Sequence, residues 1–173
     1  MLMLTTRLMT QWTARMAAVL LVFPLLAQAQ ARQEPVVVDW QLQVMRDGQQ
    51  IDAFAGTTTV GQARTDTHHH VVQHAVGCKE QPGGEIDLVR TLTVSPVQAD
   101  ASVVTLALDT QETIEEPGAR QSVSGCSLPP QPRRIAASHP GLNVPAGQWA
   151  TWTLIERDPA LVYRVRAGLA QQP

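Results

Sequence analysis

The stretch VVVDWQLQVMRDGQQIDAF, Val36 to Phe54, decides the fold. Its even positions Val36, Val38, Trp40, Leu42 and Val44 are apolar, and Asp39, Gln41 and Gln43 between them are polar. Side chains alternate across a strand, so a period of two describes a strand with one buried face and one wet face. Asp47-Gly48 follows. Both residues tolerate positive φ, which suits a two-residue hairpin turn. Ile51 to Phe54 is then the start of a returning strand.

The same period continues outward. Gly56 and Gly61 bracket TTTV, a short strand or bend. In EIDLVRTLTV, Ile86, Leu88, Leu92 and Val94 share one face. Arg90 falls in that apolar register, which places it near the strand's edge or opposite a carboxylate. SPVQAD turns the chain, and Val104, Leu106 and Leu108 carry the pattern on through SVVTLALDTQETIEE. QWATWTLIER and LVYRVRAGL, joined by DPA, form a closing hairpin, with Leu161, Tyr163 and Val165 facing one way and Arg164 and Arg166 the other. The final AQQP is expected to fray.

No segment shows an apolar stripe of helical period. About seven one-sided strands are most simply buried as two antiparallel sheets packed face to face. The expected fold is therefore all-β: a β-sandwich, immunoglobulin-like only in the loose architectural sense, with a small β-barrel as the alternative. An immunoglobulin domain sets a Trp between its two cysteines. Here Trp40 precedes the pair, and Trp149 and Trp152 follow it. From Glu116 to Gly147 the chain is rich in proline and glycine and is expected to be an irregular loop, because proline lacks the donor that helices and central strands need.

The N-terminus reads as an export signal. Arg7 and Arg15 precede the apolar run MAAVLLVFPLLA, Met16 to Ala27, and small residues follow at Ala27, Ala29 and Ala31. A basic start, a short apolar run and an A-x-A site describe a cleaved secretory signal peptide, here residues 1–29, ahead of a linker at 30–35 and one domain at 36–170. The expected location is periplasmic or secreted. Removing Arg7 and Arg15 leaves eleven basic against fifteen acidic residues, a net charge of about −4. Such a chain has no basic patch for nucleic acid or for an anionic membrane surface.

Cys78 and Cys126 are the only cysteines. In an exported protein an even pair reads first as a disulfide. It would close a loop of about 49 residues and contribute about 4 kcal/mol in the chain-entropy picture.

TDTHHHVVQHAVGC, Thr65 to Cys78, holds four of the five histidines. Its β-branched residues favour a strand. On a strand His68 and His70 share a face about 7 Å apart, His69 points the other way, and His74 lies too far along to join them. On a helix the pair would instead be His70 and His74, with Cys78 continuing the face. His68 and His70 are thus the candidate ligands for zinc, copper or nickel, with Asp66 or His139 as extra donors. A disulfide takes Cys78 out of the ligand set, since the thiolate is what ligates.

No catalytic constellation is present: no G-x-S-x-G, no phosphate-cradling glycine loop and no H-E-x-x-H. Glu115 and Glu116 point to opposite faces of a strand and suit a solvated loop entrance. Trp152 shares parity with Leu154 and reads as core. Trp149 shares its face with Thr151 and Thr153 and is the candidate partner-binding residue. The leading expectation is an exported, non-enzymatic domain without a cofactor that binds or supports another envelope or extracellular component, a cell-envelope protein. The second is a periplasmic metal-binding protein built on His68 and His70.

Overall fold

The computed structural model describes residues 34–74, 84–116 and 120–171, and every regular element among them is a strand. The expected signal segment and Cys78 lie outside the described residues. Glu34–Pro173 forms one unit by itself.

The opening stretch folds as its alternation demands. β1 (Val37–Arg46) buries Val38, Trp40, Leu42 and Val44, and Asp47 and Gly48 take φ of 49° and 81° to turn into β2 (Gln49–Thr59). β2 runs unbroken through Gly56, which faces Trp40 across the ladder. A Cβ there would sit 2.7 Å from Trp40 Cζ2, so only glycine lets the indole lie flat against this strand. The indole Nε1–H donates to Thr58 Oγ1 at 3.0 Å, so its one polar atom is satisfied in the core.

The remaining long strands are β3 (Arg64–His74), β4 (Gly84–Ala99), β5 (Val103–Glu115), β8 (Pro132–Pro145), β9 (Trp149–Ile155) and β10 (Leu161–Leu169). A two-residue ladder, β6 (Arg120–Gln121) with β7 (Ser127–Leu128), lies between β5 and β8. The count thus exceeds the expected seven. The long strands form two four-stranded antiparallel sheets, ordered β2-β1-β10-β9 and β3-β4-β5-β8. Each long strand follows its predecessor in an up-and-down path, and β10 returns to pair with β1. That connectivity is a meander, unlike the Greek key of an immunoglobulin domain. It is the order of a barrel, but among the described residues no ladder joins β2 to β3 or β8 to β9.

One apolar cluster draws on both sheets. Trp40, Leu42, Tyr163 and Val165 come from the first, and Leu92, Val94, Leu106 and Leu108 from the second.

The proline- and glycine-rich segment departs from expectation. Residues 132–145 are strand β8, not loop. β8 is an edge strand, pairing on one side with β5, and its register shifts where Leu106 faces Leu142 while Leu108 faces His139. One extra residue is thereby accommodated around Pro140-Gly141. Proline is excluded from central strands by its missing donor, but at an edge or a bulge that donor is not needed.

Candidate functional site

Beyond the apolar core, toward the ends where β3 and β5 finish, the inner faces become polar. Arg90 on β4 and Glu112 on β5 are directly paired positions. Arg90 Nε and Nη2 donate to the two Glu112 oxygens at 2.9 and 3.1 Å, and Nη1 donates to Asp52 Oδ2 at 2.7 Å from β2. The Glu112 side chain is fully buried. Its Oε1 also accepts from the Tyr163 hydroxyl, which lies 2.7 Å from Thr110 Oγ1. Thr110 in turn donates to the Thr91 carbonyl at 3.2 Å. Among the described residues no buried side-chain polar atom lacks a partner.

This network sets its own electrostatics. Burial alone would lower the Arg90 pKa, but the hydrogen bond and charge of Glu112 and the hydrogen bond to Asp52 outweigh it and hold the guanidinium above its ordinary value. Burial pushes the Tyr163 hydroxyl up, and the Glu112 carboxylate beside it pushes further in the same direction. Burial would raise Asp52, yet hydrogen bonds from Arg90 and His68 dominate and hold its carboxyl below the usual range.

His68 extends the network toward solvent. Its Nδ1 lies 3.0 and 3.2 Å from the two Asp52 oxygens, and its ring stacks on Phe54 at 4.0 Å between centroids. An ionised carboxylate only accepts, so the Nδ1 carries the proton. This leaves Nε2 as the acceptor in the neutral ring.

A cavity of about 660 Å³ opens above the network. From the first sheet and the β9–β10 connection it takes Arg46, Ile51, Asp52, Pro159 and Leu161. From β3 it takes Thr67, His68, His69, His70 and Val72, and from β4 and β5 Leu88, Arg90, Thr113, Ile114 and Glu115. A register shift puts Ile51 between two paired positions, Gln50 opposite Met45 and Asp52 opposite Val44. The bulge lets both Ile51 and Asp52 line the cavity, and leaves Ile51 46% exposed.

The histidine stretch is a strand, and the ladder gives its parity. His68 faces Arg90 and His70 faces Leu88, both on the inner face. His69 lies on the outer face, with Nδ1 2.8 Å from Asp87 Oδ2. His74 Nε2 contacts Glu115 Oε1, and Glu116 lies 3.9 Å from Arg133. Neither proposed extra ligand joins the pair. Asp66 is held by Arg64 Nε and Nη2 at 2.8 and 3.2 Å. His139 is on β8, at the far edge of the sheet, edge-on to Trp152. Among the described residues no group of three or more His, Cys, Asp or Glu side chains is placed to hold a metal ion.

Cys126 follows a turn stabilised by Ser122, whose Oγ accepts from the Cys126 amide at 3.1 Å. Its expected partner, Cys78, lies outside the described residues, so these contain no cysteine pair. Trp149 begins edge strand β9, away from the cavity, and the Arg164 guanidinium lies 5.2 Å from its ring centroid.

Sequence reasoning leaves Arg90 between two placements, and the structure chooses the carboxylate. It misses Glu112, Asp52 and Arg46, and it puts Tyr163 on the apolar face of its strand without its polar role. A signal exists for Glu112: Val104, Leu106, Leu108 and Ile114 are apolar, and Glu112 interrupts that parity as Arg90 does on the strand before. Comparison with known protein families, curated proteins and solved structures finds no match.

Proposed function

We propose that this chain is an exported, non-enzymatic binding protein that engages an envelope or extracellular partner through the cavity beside β2 and β3. In this reading the two sheets pack as a β-sandwich, the N-terminal signal is removed on export, and a Cys78–Cys126 disulfide ties the segment before β8 to the end of β3. The observation that carries the reading is the cavity itself: it has the volume of small-ligand sites, apolar walls and a few fixed polar groups. Its floor is pre-organised, since Asp52, Arg90 and Glu112 hold one another in place and need no rearrangement to receive a ligand. The non-enzymatic part rests on the lack of a recognisable catalytic motif in the sequence.

The test is site-specific photo-crosslinking in cells. Benzoyl-phenylalanine at Ile51, on the cavity, is expected to capture a discrete envelope or extracellular component. The same probe at Thr105, on the outer face of the second sheet, is expected not to. Equal capture from both positions, or none from Ile51, would refute the cavity as the place where an envelope or extracellular partner docks.

A further inference from the structure

The polar groups of the cavity fall into two sets. The carboxylates are already occupied: Asp52 accepts from Arg90 and His68, and Glu115 contacts His74. Arg90 has its Nε, Nη1 and Nη2 engaged with Glu112 and Asp52. Thr67 is bonded to Thr91, and His69 to Asp87. Arg46 and His70 differ: both line the cavity, and among the described residues neither side chain makes a hydrogen bond or ion pair.

Arg46 continues the inner parity of β1, after Val38, Trp40, Leu42 and Val44, and is only partly exposed. A guanidinium carries five donors and no acceptor, and its fork matches a carboxylate. Around it the walls are apolar: Ile51, Val72, Leu88, Ile114 and Leu161. The spare full charge is therefore the Arg46 guanidinium, joined by the spare nitrogens of His68 and His70, the spare surface is hydrocarbon, and the lining carboxylates Asp52 and Glu115 each already have a basic partner.

We propose that the cavity binds a small organic acid with an apolar body, its carboxylate held by Arg46 and His70 and its hydrocarbon on Ile51, Val72, Leu88 and Ile114. A free small molecule is favoured over a macromolecular segment because a volume of about 660 Å³ lies within the range of small-ligand clefts and cavities. The inference rests on the cavity being the binding site and adds the class of ligand.

Calorimetry on the purified protein tests it, with decanoate below its micelle concentration, decanol and decyltrimethylammonium as probes. Decanoate is expected to bind saturably, decanol more weakly, and the ammonium not at all. Arg46→Gln is expected to weaken decanoate by about tenfold or more, with Arg46→Lys retaining part of the affinity. Arg164→Gln, on the outer face, is expected to leave it unchanged. Melting curves of each variant report folding, so a lost signal is not misread. Decanol or the ammonium binding as tightly as decanoate, or Arg46→Gln binding decanoate like the parent, overturns the acid class. If Val72→Trp then abolishes binding of the neutral or cationic probe, the cavity stands as the site while the acid class falls. No binding of any probe, with Ile51 still crosslinking its partner, has the same meaning. Failure of the Ile51 crosslink with decanoate still bound removes the envelope partner and leaves the cavity as a small-molecule site, and failure of both removes the cavity reading itself.

Discussion

Arg90 and Glu112 face each other across neighbouring strands and join through two hydrogen bonds, at 2.9 and 3.1 Å, with the carboxylate fully out of solvent. Two opposite charges thus occupy inward positions, Arg90 between Leu88 and Leu92 and Glu112 between Thr110 and Ile114. Removing one partner leaves the other charge buried without compensation, whereas removing both does not. Arg90→Leu should lower the unfolding free energy by about 3–5 kcal/mol. The double variant Arg90→Leu/Glu112→Leu should recover most of that loss, as urea denaturation of the three proteins would show. A double variant no more stable than the single one would mean that Asp52 and Tyr163, not the pair, dominate the site.

Tyr163 ends the network inside the core, between Glu112 and Thr110. Tyr163→Phe keeps the ring and deletes the hydroxyl. It should cost about 1–3 kcal/mol, because Glu112 loses a donor it cannot replace with water. The fluorescence-monitored urea midpoint measures this, and a midpoint within error of the parent would count against a structural role for the hydroxyl.

Gly56 marks the closest approach of β2 to Trp40. Gly56→Ala would normally favour a strand, yet here the new methyl meets the indole at 2.7 Å. The substitution should destabilise by about 1–3 kcal/mol through overpacking, with an altered tryptophan emission spectrum. An unchanged or raised melting temperature would contradict the packing.

Acid should weaken the site through Asp52. Its folded-state pKa lies below the ordinary aspartate value of 3.8, so its contribution is present above that value and is lost as the pH falls through the lower folded value. Stability by urea denaturation should therefore drop from about pH 5 downward, and Asp52→Asn should show a shallower drop. Identical acid profiles in the two proteins would assign the loss to other carboxylates.

The Cys78–Cys126 bridge has its own test. Intact-mass measurement before and after alkylation should show no free thiol in the exported protein, and reduction should lower stability by about 4 kcal/mol. Two alkylated cysteines without prior reduction would rule the bridge out.

Much of the fold is legible in local sequence pattern. The alternation at Val38 to Val44 and Leu161 to Val165 names the buried face of two strands, because a period of two has only one reading when one face must leave water. Asp47-Gly48 names its hairpin for an equally local reason, positive φ at both residues. The parity of His68, His69 and His70 follows from the strand alone. β8 is hidden because proline is confined to edges and register shifts, as at Pro140 in β8 and at Pro96 in β4 where a turn is expected, and both are properties of the sheet, not of the segment.

The sequence by itself determined the all-β class, the inward residues of most strands and the split of the histidines between two faces. These depend on local geometry and the removal of apolar side chains from water. Only the tertiary structure decided that Asp52, Arg90, Glu112, Tyr163 and His68 form one network, and that Arg46 and His70 share a cavity with it. The network joins residues far apart in the chain, and the meander order and the bulge at Ile51 bring them together. A buried charge must find its partner across strands, and which strands are neighbours is settled by how the two sheets form, not by any one segment.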